Sequence, residues 1–321
     1  MAKIPKTMRA AAIDRSGPPS VLKIHELPVP AVGPRDVLLA LDTAGVGSWD
    51  ADMRAGWWPA GKPRFPLVLG TDGAGRVAAA GSRVRRLRVG DRAYAYVFTN
   101  PKGGFYARYV AVREEKAARI PRPLDTRRAG AMTVTGLTAL QGVDDALHLK
   151  RGESVIIHGA AGGVGTLAVQ FARWRGARVL ATATGRDGVA LVRGLGVDAA
   201  VDGKREDIAD AARRFAPEGV DAVLAFAGGR ELTRCLDALQ RGGRVAYPNG
   251  VEPAPRKRRG IRMKSYDGTS GVAEFQRLNR AVAGAKIKVP IDSVYPLARA
   301  ADAHRRLARG HVLGKVVLRI R

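Results

Sequence analysis

The chain has 321 residues, 46% of them hydrophobic and 26% charged, which excludes a disordered protein and exceeds what one typical core supports, so two domains are expected. Its 55 lysines and arginines face 29 acidic residues, for a net charge of +26, a field that attracts phosphates and other anions. The single cysteine, Cys235, excludes a disulfide framework and a four-thiolate zinc site. Met1 to Lys6 contain no apolar leader core, and no run approaches the ~18 apolar residues of a membrane span. A reducing cytoplasm and no membrane are therefore expected.

In chain order, Met8–Ile13, Leu22–Ile24 and Asp36–Leu41 read as strands, punctuated by Pro18-Pro19 and Gly33-Pro34. Ser48–Gly56 has the make-up of a short helix. Leu67–Val77, Val89–Tyr94 and Gly104–Val112 follow as strands broken by glycines, the pattern of a compact, curled β-domain. Ile120–Pro123 is a stiff linker, and Arg128–Leu147 is rich in helix formers.

The next stretch organises the chain. Ser154–His158 is a β-branched run suited to a buried parallel strand. Gly159–Gly163 is a turn of small residues, and from Val164 the apolar residues Leu167, Ala168, Phe171 and Ala172 recur at helical spacing. Strand, glycine-rich turn and helix in that order form the phosphate-binding unit of a dinucleotide fold. Backbone N–H groups approach the pyrophosphate, and the helix N-terminus faces it with partial positive charge. Ala160 takes the place of the first glycine of Gly-x-Gly-x-x-Gly, followed by Gly162 and Gly165.

Alternation continues beyond the loop: strand Arg178–Thr182, helix Asp187–Leu195, strand Ala199–Val201, helix Glu206–Phe215 and strand Val220–Phe226. A helix Arg230–Gln240, a Gly242-Gly243 turn and strand Arg244–Tyr247 complete an open parallel sheet. Cys235 falls inside the last of these helices and reads as an inert buried thiol. The cluster Pro255–Gly260 has few interleaved aromatics, so it reads as a solvated loop, and specific nucleic-acid binding is not expected. Helix Val272–Ala283, a helix through His304 and a terminal strand Lys315–Ile320 close the chain, the strand returning to the first domain.

Four stretches together resemble the zinc-independent quinone oxidoreductase (zeta-crystallin-like) branch of the medium-chain dehydrogenase/reductase superfamily. They are Leu69–Val77 with Val89-Gly-Asp-Arg92; Thr135-Gly-Leu-Thr-Ala139; His158–Gly165; and Tyr295-Pro-Leu297 with Gly314–Leu318. The resemblance implies an α/β chain with a GroES-like β-domain over residues 1–123 and a Rossmann doubly wound parallel sheet over 124–265. Residues 266–321 would return to complete the β-domain. It also implies a homodimer, commonly joined through edge strands of the Rossmann sheets.

Zinc-carrying alcohol dehydrogenase relatives place a cysteine just after Ala44-Gly45 and a histidine at the second position of Gly70-Thr71-Asp72. Here those positions hold Val46/Gly47 and Thr71. Zinc needs three or four N, S or O ligands brought together, and the five histidines are scattered, so no metal is expected.

NADPH is the expected cofactor. An NAD site places an acidic residue at the end of the second strand, whereas here Ala181–Thr184 is small and uncharged. Arg186 lies in the next turn and Lys204-Arg205 after the third strand. Asp187 falls where a helix N-cap belongs.

The candidate cofactor-binding residues are Ala160, Ala161, Gly162, Gly163 and Val164 of the loop, with Thr182, Thr184, Arg186 and Lys204 on the adenosine side. By resemblance, Thr135 and Thr138 flank the nicotinamide half, and Phe226, Ala227 and Asn249 end the fourth and fifth strands. On the substrate side many relatives carry Asn-Pro and a tyrosine where this chain has Gly47-Ser48 and Asp52. Ser48, Trp57, Trp58 and Tyr106 are candidate pocket residues, Trp57 and Trp58 having β-domain packing as the alternative. Asp50 matches a common family aspartate, and no residue is assigned as general acid. The leading expectation is hydride transfer from NADPH to a quinone or an α,β-unsaturated carbonyl. The alternatives are enoyl reduction on a carrier-bound acyl chain, and a weakly catalytic NADPH-binding protein with nucleic-acid affinity.

Overall fold

The computed structural model describes residues 4–59 and 61–321; residues 1–3 of the N-terminus read above, and Ala60, lie outside the described residues. The first part of the chain is largely β: β1 (Thr7–Ile13), β2 (Lys23–Pro28), β3 (Asp36–Val46), β4 (Leu67–Val68), β5 (Asp72–Ala80), β6 (Arg92–Tyr96), β7 (Tyr109–Arg113) and β8 (Ala117–Arg119). One helix interrupts it, α1 (Ser48–Ala55), after the end of β3. The long helix α2 (Thr126–Gln141) follows, started by Asp125, whose side chain accepts from the Arg128 N–H at 2.7 Å.

The alternating region runs β9 (Ser154–His158), α3 (Gly163–Trp174), β10 (Arg178–Ala183), α4 (Gly185–Gly194), β11 (Ala199–Asp202), α5 (Ile208–Phe215), β12 (Val220–Ala225), α6 (Arg230–Asp237), β13 (Leu239–Pro248) and β14 (Arg262–Tyr266). The chain closes with α7 (Val272–Ala285), β15 (Ile291–Pro296), α8 (Ala300–Ala308) and β16 (Lys315–Arg319).

The alternating strands form a six-stranded sheet in the order β11-β10-β9-β12-β13-β14, parallel throughout. Its strand order reverses between β9 and β12, which opens the ligand crevice at their carboxyl ends. Every residue of β9 is buried because both sheet faces are covered. Val155 and Ile157 pack with Leu167 and Phe171 of α3 and Leu278 of α7. Ile156 faces the other way, toward Ile208, Phe215 and Leu232 of α5 and α6. The alternating sides of one strand thus anchor both helical layers.

The β-domain holds a seven-stranded sheet, β15-β16-β3-β5-β6-β8 with β7 also on β3, and a small sheet β2-β1-β4. β16 pairs antiparallel with β3, Val317 opposite Gly45, so the terminal strand does return to the first domain. α2 lies between the domains: the Asp72 carboxylate of β5 accepts from the Val134 N–H at 3.0 Å, and Tyr94 of β6 stacks edge-on against Phe275 of α7 at 5.2 Å.

One strand is added to the sequence reading, and two local expectations are corrected. β14 has no apolar run, since Arg262 and Lys264 are exposed on an edge strand with one neighbour, and periodicity does not reveal it. α6 stops at Asp237, and Leu239–Pro248 is one strand whose register with β12 shifts, so Gly242-Gly243 is an irregularity within β13. Asp187 is not a helix cap. Thr184 holds that position, and the Asp187 carboxylate instead meets His311 Nε2 at 2.8 Å.

Candidate active site

The crevice begins at the turn between β9 and α3. A Cβ on Gly165 would lie 2.3 Å from the Gly159 carbonyl oxygen and 2.7 Å from Ala160 Cα, so this close approach requires glycine. A Cβ on Gly162 would meet only the Gly159 oxygen, at 3.5 Å, so the chain is open on that side. α3 carries no side-chain cap. Its first N–H groups, which no helix can satisfy internally, are therefore free for a pyrophosphate. Ala160 and Ala161 are buried and form the floor of the loop. Beneath it, Thr182 shares a 2.7 Å hydrogen bond with His158 Nδ1 and accepts from the Gly159 N–H at 3.4 Å. Burial lowers the His158 pKa to about 4, so the imidazole is neutral. Thr182 thus shapes the loop from below.

Arg186, in the first turn of α4 after β10, and Lys204, on the turn that leaves the adjacent strand β11, are both exposed. Asp202, at the end of β11, is buried and commits its two oxygens to the Gly185 and Lys204 N–H groups, each at 3.1 Å. It pins the two turns rather than facing a ribose. With Asp187 held by His311 and Glu206 accepting from the Asp202 N–H at 2.9 Å, Arg186 and Lys204 are the cations at this edge, Thr184 lies exposed nearby, and the Glu231 side chain of α6 comes to 3.8 Å from where a Gly203 Cβ would lie.

On the other side of the loop, Thr135 and Thr138 are buried in α2, and each hydroxyl donates to the carbonyl one turn back, Ala131 at 3.3 Å and Val134 at 2.9 Å. The Thr135 methyl lies 3.5 Å from the point a Gly163 Cβ would occupy, so it faces the loop. Phe226 is anchored by its N–H to the His158 carbonyl at 3.0 Å, with Ala227 exposed beside it. Asn249 is exposed after β13 and donates to Asp267 at 2.8 Å.

The β-domain contributes the opposite wall. Asp50 and Tyr106 are both fully buried and so lie behind the pocket surface. Asp50 Oδ2 accepts from the Gly47 N–H and from the Tyr106 hydroxyl, each at 2.9 Å. Tyr106 Oη also lies 3.2 Å from His304 Nε2, and Arg54 Nη1 lies 3.3 Å from His304 Nδ1. Because arginine can only donate, Nδ1 accepts and Nε2 carries the proton, which gives one consistent direction: Arg54 to His304 to Tyr106 to Asp50. Burial raises the Asp50 pKa to about 6, and burial with the Arg54 charge lowers that of His304 to about 3.

Ser48 is exposed at the start of α1. Trp57 is 45% exposed, whereas Trp58 packs partly buried on the β-domain core. Trp57 forms an aromatic group with two residues that the sequence reading passed over. Its ring lies 5.4 Å from Trp49 and 6.3 Å from Phe98, and Trp49 meets Phe98 edge-on at 5.3 Å. A Cβ on Gly250, beside Asn249, would sit 3.0 Å from the Trp49 ring, so the group reaches across to the Rossmann side. A surface concavity of about 490 Å³ elsewhere, between α4 and the segment after α7, has only Arg128 and Lys288 as charged lining and offers no chemistry. Among the described residues, no group of three or more His, Cys, Asp or Glu side chains is placed to hold a metal ion.

Comparison with known proteins agrees with this arrangement. Residues 33–122 match the alcohol dehydrogenase GroES-like domain, and residues 195–318 match the family described as zinc-binding dehydrogenase. The quinone oxidoreductase of Lama guanicoe is 34% identical, with 99% of each chain covered. The chain belongs to the zinc-independent quinone oxidoreductase branch of the medium-chain dehydrogenase/reductase superfamily.

A second relative, the chloroplastic NADPH-dependent alkenal/one oxidoreductase of Arabidopsis thaliana, is 32% identical over 99% of this chain and 81% of its own. Among solved structures, one titled NAD-dependent alcohol dehydrogenase superposes with a TM-score of 0.90 at 31% identity, covering 98% of this chain and all of that one (100%). The chain is therefore an oxidoreductase of this superfamily with a nicotinamide cofactor. That family match transfers no metal site to this chain, which has Val46/Gly47 and Thr71 where zinc-carrying relatives are expected to have cysteine and histidine.

Proposed function

We propose that the protein is an NADPH-dependent reductase that delivers hydride to a quinone or an α,β-unsaturated carbonyl. The observation that carries this reading is the open, uncapped phosphate loop at Gly162-Gly163, with Thr135 beside it and the group of Trp49, Trp57 and Phe98 across the crevice. When bound, NADPH supplies the hydride. Ala160 to Val164 would hold its pyrophosphate through backbone N–H groups, and Arg186 and Lys204 its 2′-phosphate. Thr135, Thr138, Phe226, Ala227 and Asn249 would line the nicotinamide half, and Thr182 would keep the loop in shape. The Trp49, Trp57 and Phe98 rings suit a flat conjugated acceptor, since offset or edge-on contacts between such surfaces are favourable.

The test is NADPH oxidation with 9,10-phenanthrenequinone, 1,2-naphthoquinone, small enones and a crotonyl thioester, repeated with NADH. Turnover of a quinone or enone with at least a tenfold NADPH preference is expected. No turnover with any quinone or enone sinks the reading, and turnover of the thioester alone favours the carrier-bound alternative. The same reading includes a homodimer joined through the free edge of β14, and a cytoplasmic protein whose buried Cys235 stays reduced. Light scattering on the purified protein and cell fractionation test these two points. No helix of the described residues is long and apolar enough to cross a membrane.

A further inference from the structure

We infer that the Lys315 ammonium is the group that donates a hydrogen bond to the substrate oxygen as negative charge develops on it. This inference rests on the reductase reading above and names the donor which that reading lacks.

Lys315 opens β16, and its backbone is tied to the phosphate loop. Gly314 donates to the Ala161 carbonyl at 2.8 Å, Gly162 and Gly314 form a parallel bridge, and Lys315 itself donates to the Pro290 carbonyl at 3.1 Å. The residue is only 6% exposed. Its course is marked by three glycines. Cδ lies 3.4 Å from where a Gly163 Cβ would be, Cε 3.1 Å from that of Gly45, and Nζ 3.7 Å from that of Gly47. The side chain therefore runs from the phosphate loop, past Thr135, to the head of α1. Side chains at those three positions would crowd it.

Nζ then arrives beside charge with no protein partner of its own. Among the described residues it makes no hydrogen bond and no ion pair, although the carboxylates of Asp50 and Asp72 both feel its charge. Asp50 Oδ2 lies 3.7 Å from the same Gly47 point, and the other oxygen, Oδ1, is buried without a partner. Most of the Lys315 side chain is covered, and its ammonium spends none of its donors on protein, so all of them are available to a ligand oxygen that enters the crevice.

The reaction needs such a cation. A hydride brings two electrons and one proton to the acceptor. A quinone then becomes a hydroquinone monoanion and an enone becomes an enolate, each with its charge on oxygen, and one proton from solvent completes the product. A preorganised donor aimed at that oxygen lowers the barrier, and loss of one such donor typically costs about 10²–10³-fold in kcat.

The experiment compares wild type with K315M and K315R, checking folding by thermal melts. Three readouts are used: single-turnover reduction of phenanthrenequinone at saturating NADPH, NADPH affinity by fluorescence, and the ionisation of 4-nitrophenol bound to the NADP⁺ complex. The phenolate of the last probe mimics the product anion and requires no turnover. K315M is expected to slow reduction on the order of 10²-fold and to change NADPH affinity by less than about threefold. It should also abolish a fall in the bound nitrophenol pKa that wild type shows, with K315R recovering part of both losses. Unchanged nitrophenol ionisation between wild type and K315M overturns the assignment. So does a loss confined to NADPH affinity, which would make Lys315 a cofactor-phosphate contact. If wild type reduces no acceptor, the reductase reading fails, while the nitrophenol shift still decides whether Lys315 stabilises an oxyanion.

Discussion

The Tyr106 hydroxyl donates to Asp50 Oδ2 at 2.9 Å in a site where both residues are fully buried. The Gly47 N–H donates to the same oxygen, so the acceptor most used by the protein lies on one side of the carboxylate and Oδ1 is left over. An amide can keep its oxygen where Oδ2 stands and lose only the charge. Asp50→Asn is therefore a clean probe of the charge itself.

The sign of the Asp50 effect follows from its pKa, raised by burial from 3.8 to about 6. The folded state holds this proton more tightly than the unfolded state, so the contribution of Asp50 is greatest below pH 4 and is lost as the pH rises through 6. Two units correspond to about 3 kcal/mol. Urea unfolding of wild type and D50N at pH 4.5 and 7.5 should show D50N gaining relative to wild type at the higher pH. A pH-independent difference would contradict the buried, charge-bearing role.

The histidines act in the opposite direction. Burial lowers His158 to about 4 and His304 to about 3 from the ordinary 6.5. The unfolded chain takes up these protons first, so stability is fully present above pH 6.5 and is lost as the pH falls toward the folded values. Between pH 6.5 and 4.5 each contributes a loss of about 3 kcal/mol. H304Q should flatten the acid limb by roughly that amount, measured as the change in urea midpoint over this range.

Gly165→Ala should disable cofactor binding without unfolding the chain. Its Cβ would lie 2.3 Å from a backbone oxygen of the loop, and neither group is free to move aside. Overpacking of this kind costs roughly 1–3 kcal/mol, concentrated where the N–H groups must converge. NADPH affinity by fluorescence titration should fall at least tenfold, with a smaller drop in melting temperature than Phe171→Ala, a fully buried core change worth about 3–5 kcal/mol.

R186A/K204A should remove the NADPH preference. Arg186 at the start of α4 and Lys204 on the turn after β11 are both exposed, and the carboxylates of Asp202 and Asp187 beside them are already engaged. kcat/KM for NADPH should drop about 10-fold to 100-fold, as lost charge-assisted bonds predict, and that for NADH should hardly change. Equal losses with both cofactors would place the 2′-phosphate elsewhere.

Trp57→Ala should raise KM for phenanthrenequinone by about 3-fold to 10-fold, the size of one aromatic contact. Turnover of a small enone, too short to reach the ring group, should be nearly unaffected. Because Trp57 is 45% exposed, stability should change little.

How far the sequence reached can be traced through these residues. Ser154–His158, the small-residue turn and the periodic apolar positions of α3 were legible because period and turn chemistry are local properties. The alternation up to β13 was legible for the same reason, and so was the closing strand, as an apolar run matching a family pattern. β14 was not legible, since its apolar residues are too few to show a period. Nor was the partnership of residues 50, 106 and 304, which no spacing connects: Asp50 was visible only as a family match and His304 only as a scattered histidine.

The sequence by itself therefore determined most of the elements and the phosphate loop, because hydrophobic period, turn residues and helix starts act over a few positions. Only the tertiary structure decided which polar side chains share a buried space. β16 returns to β3, and that pairing carries Lys315 from the end of the chain to the gap between Gly163 and Gly47. α1 folds back from β3, and that turn sets Asp50 against Tyr106 and Trp49 against the Rossmann loop. Such meetings depend on the summed geometry of both domains.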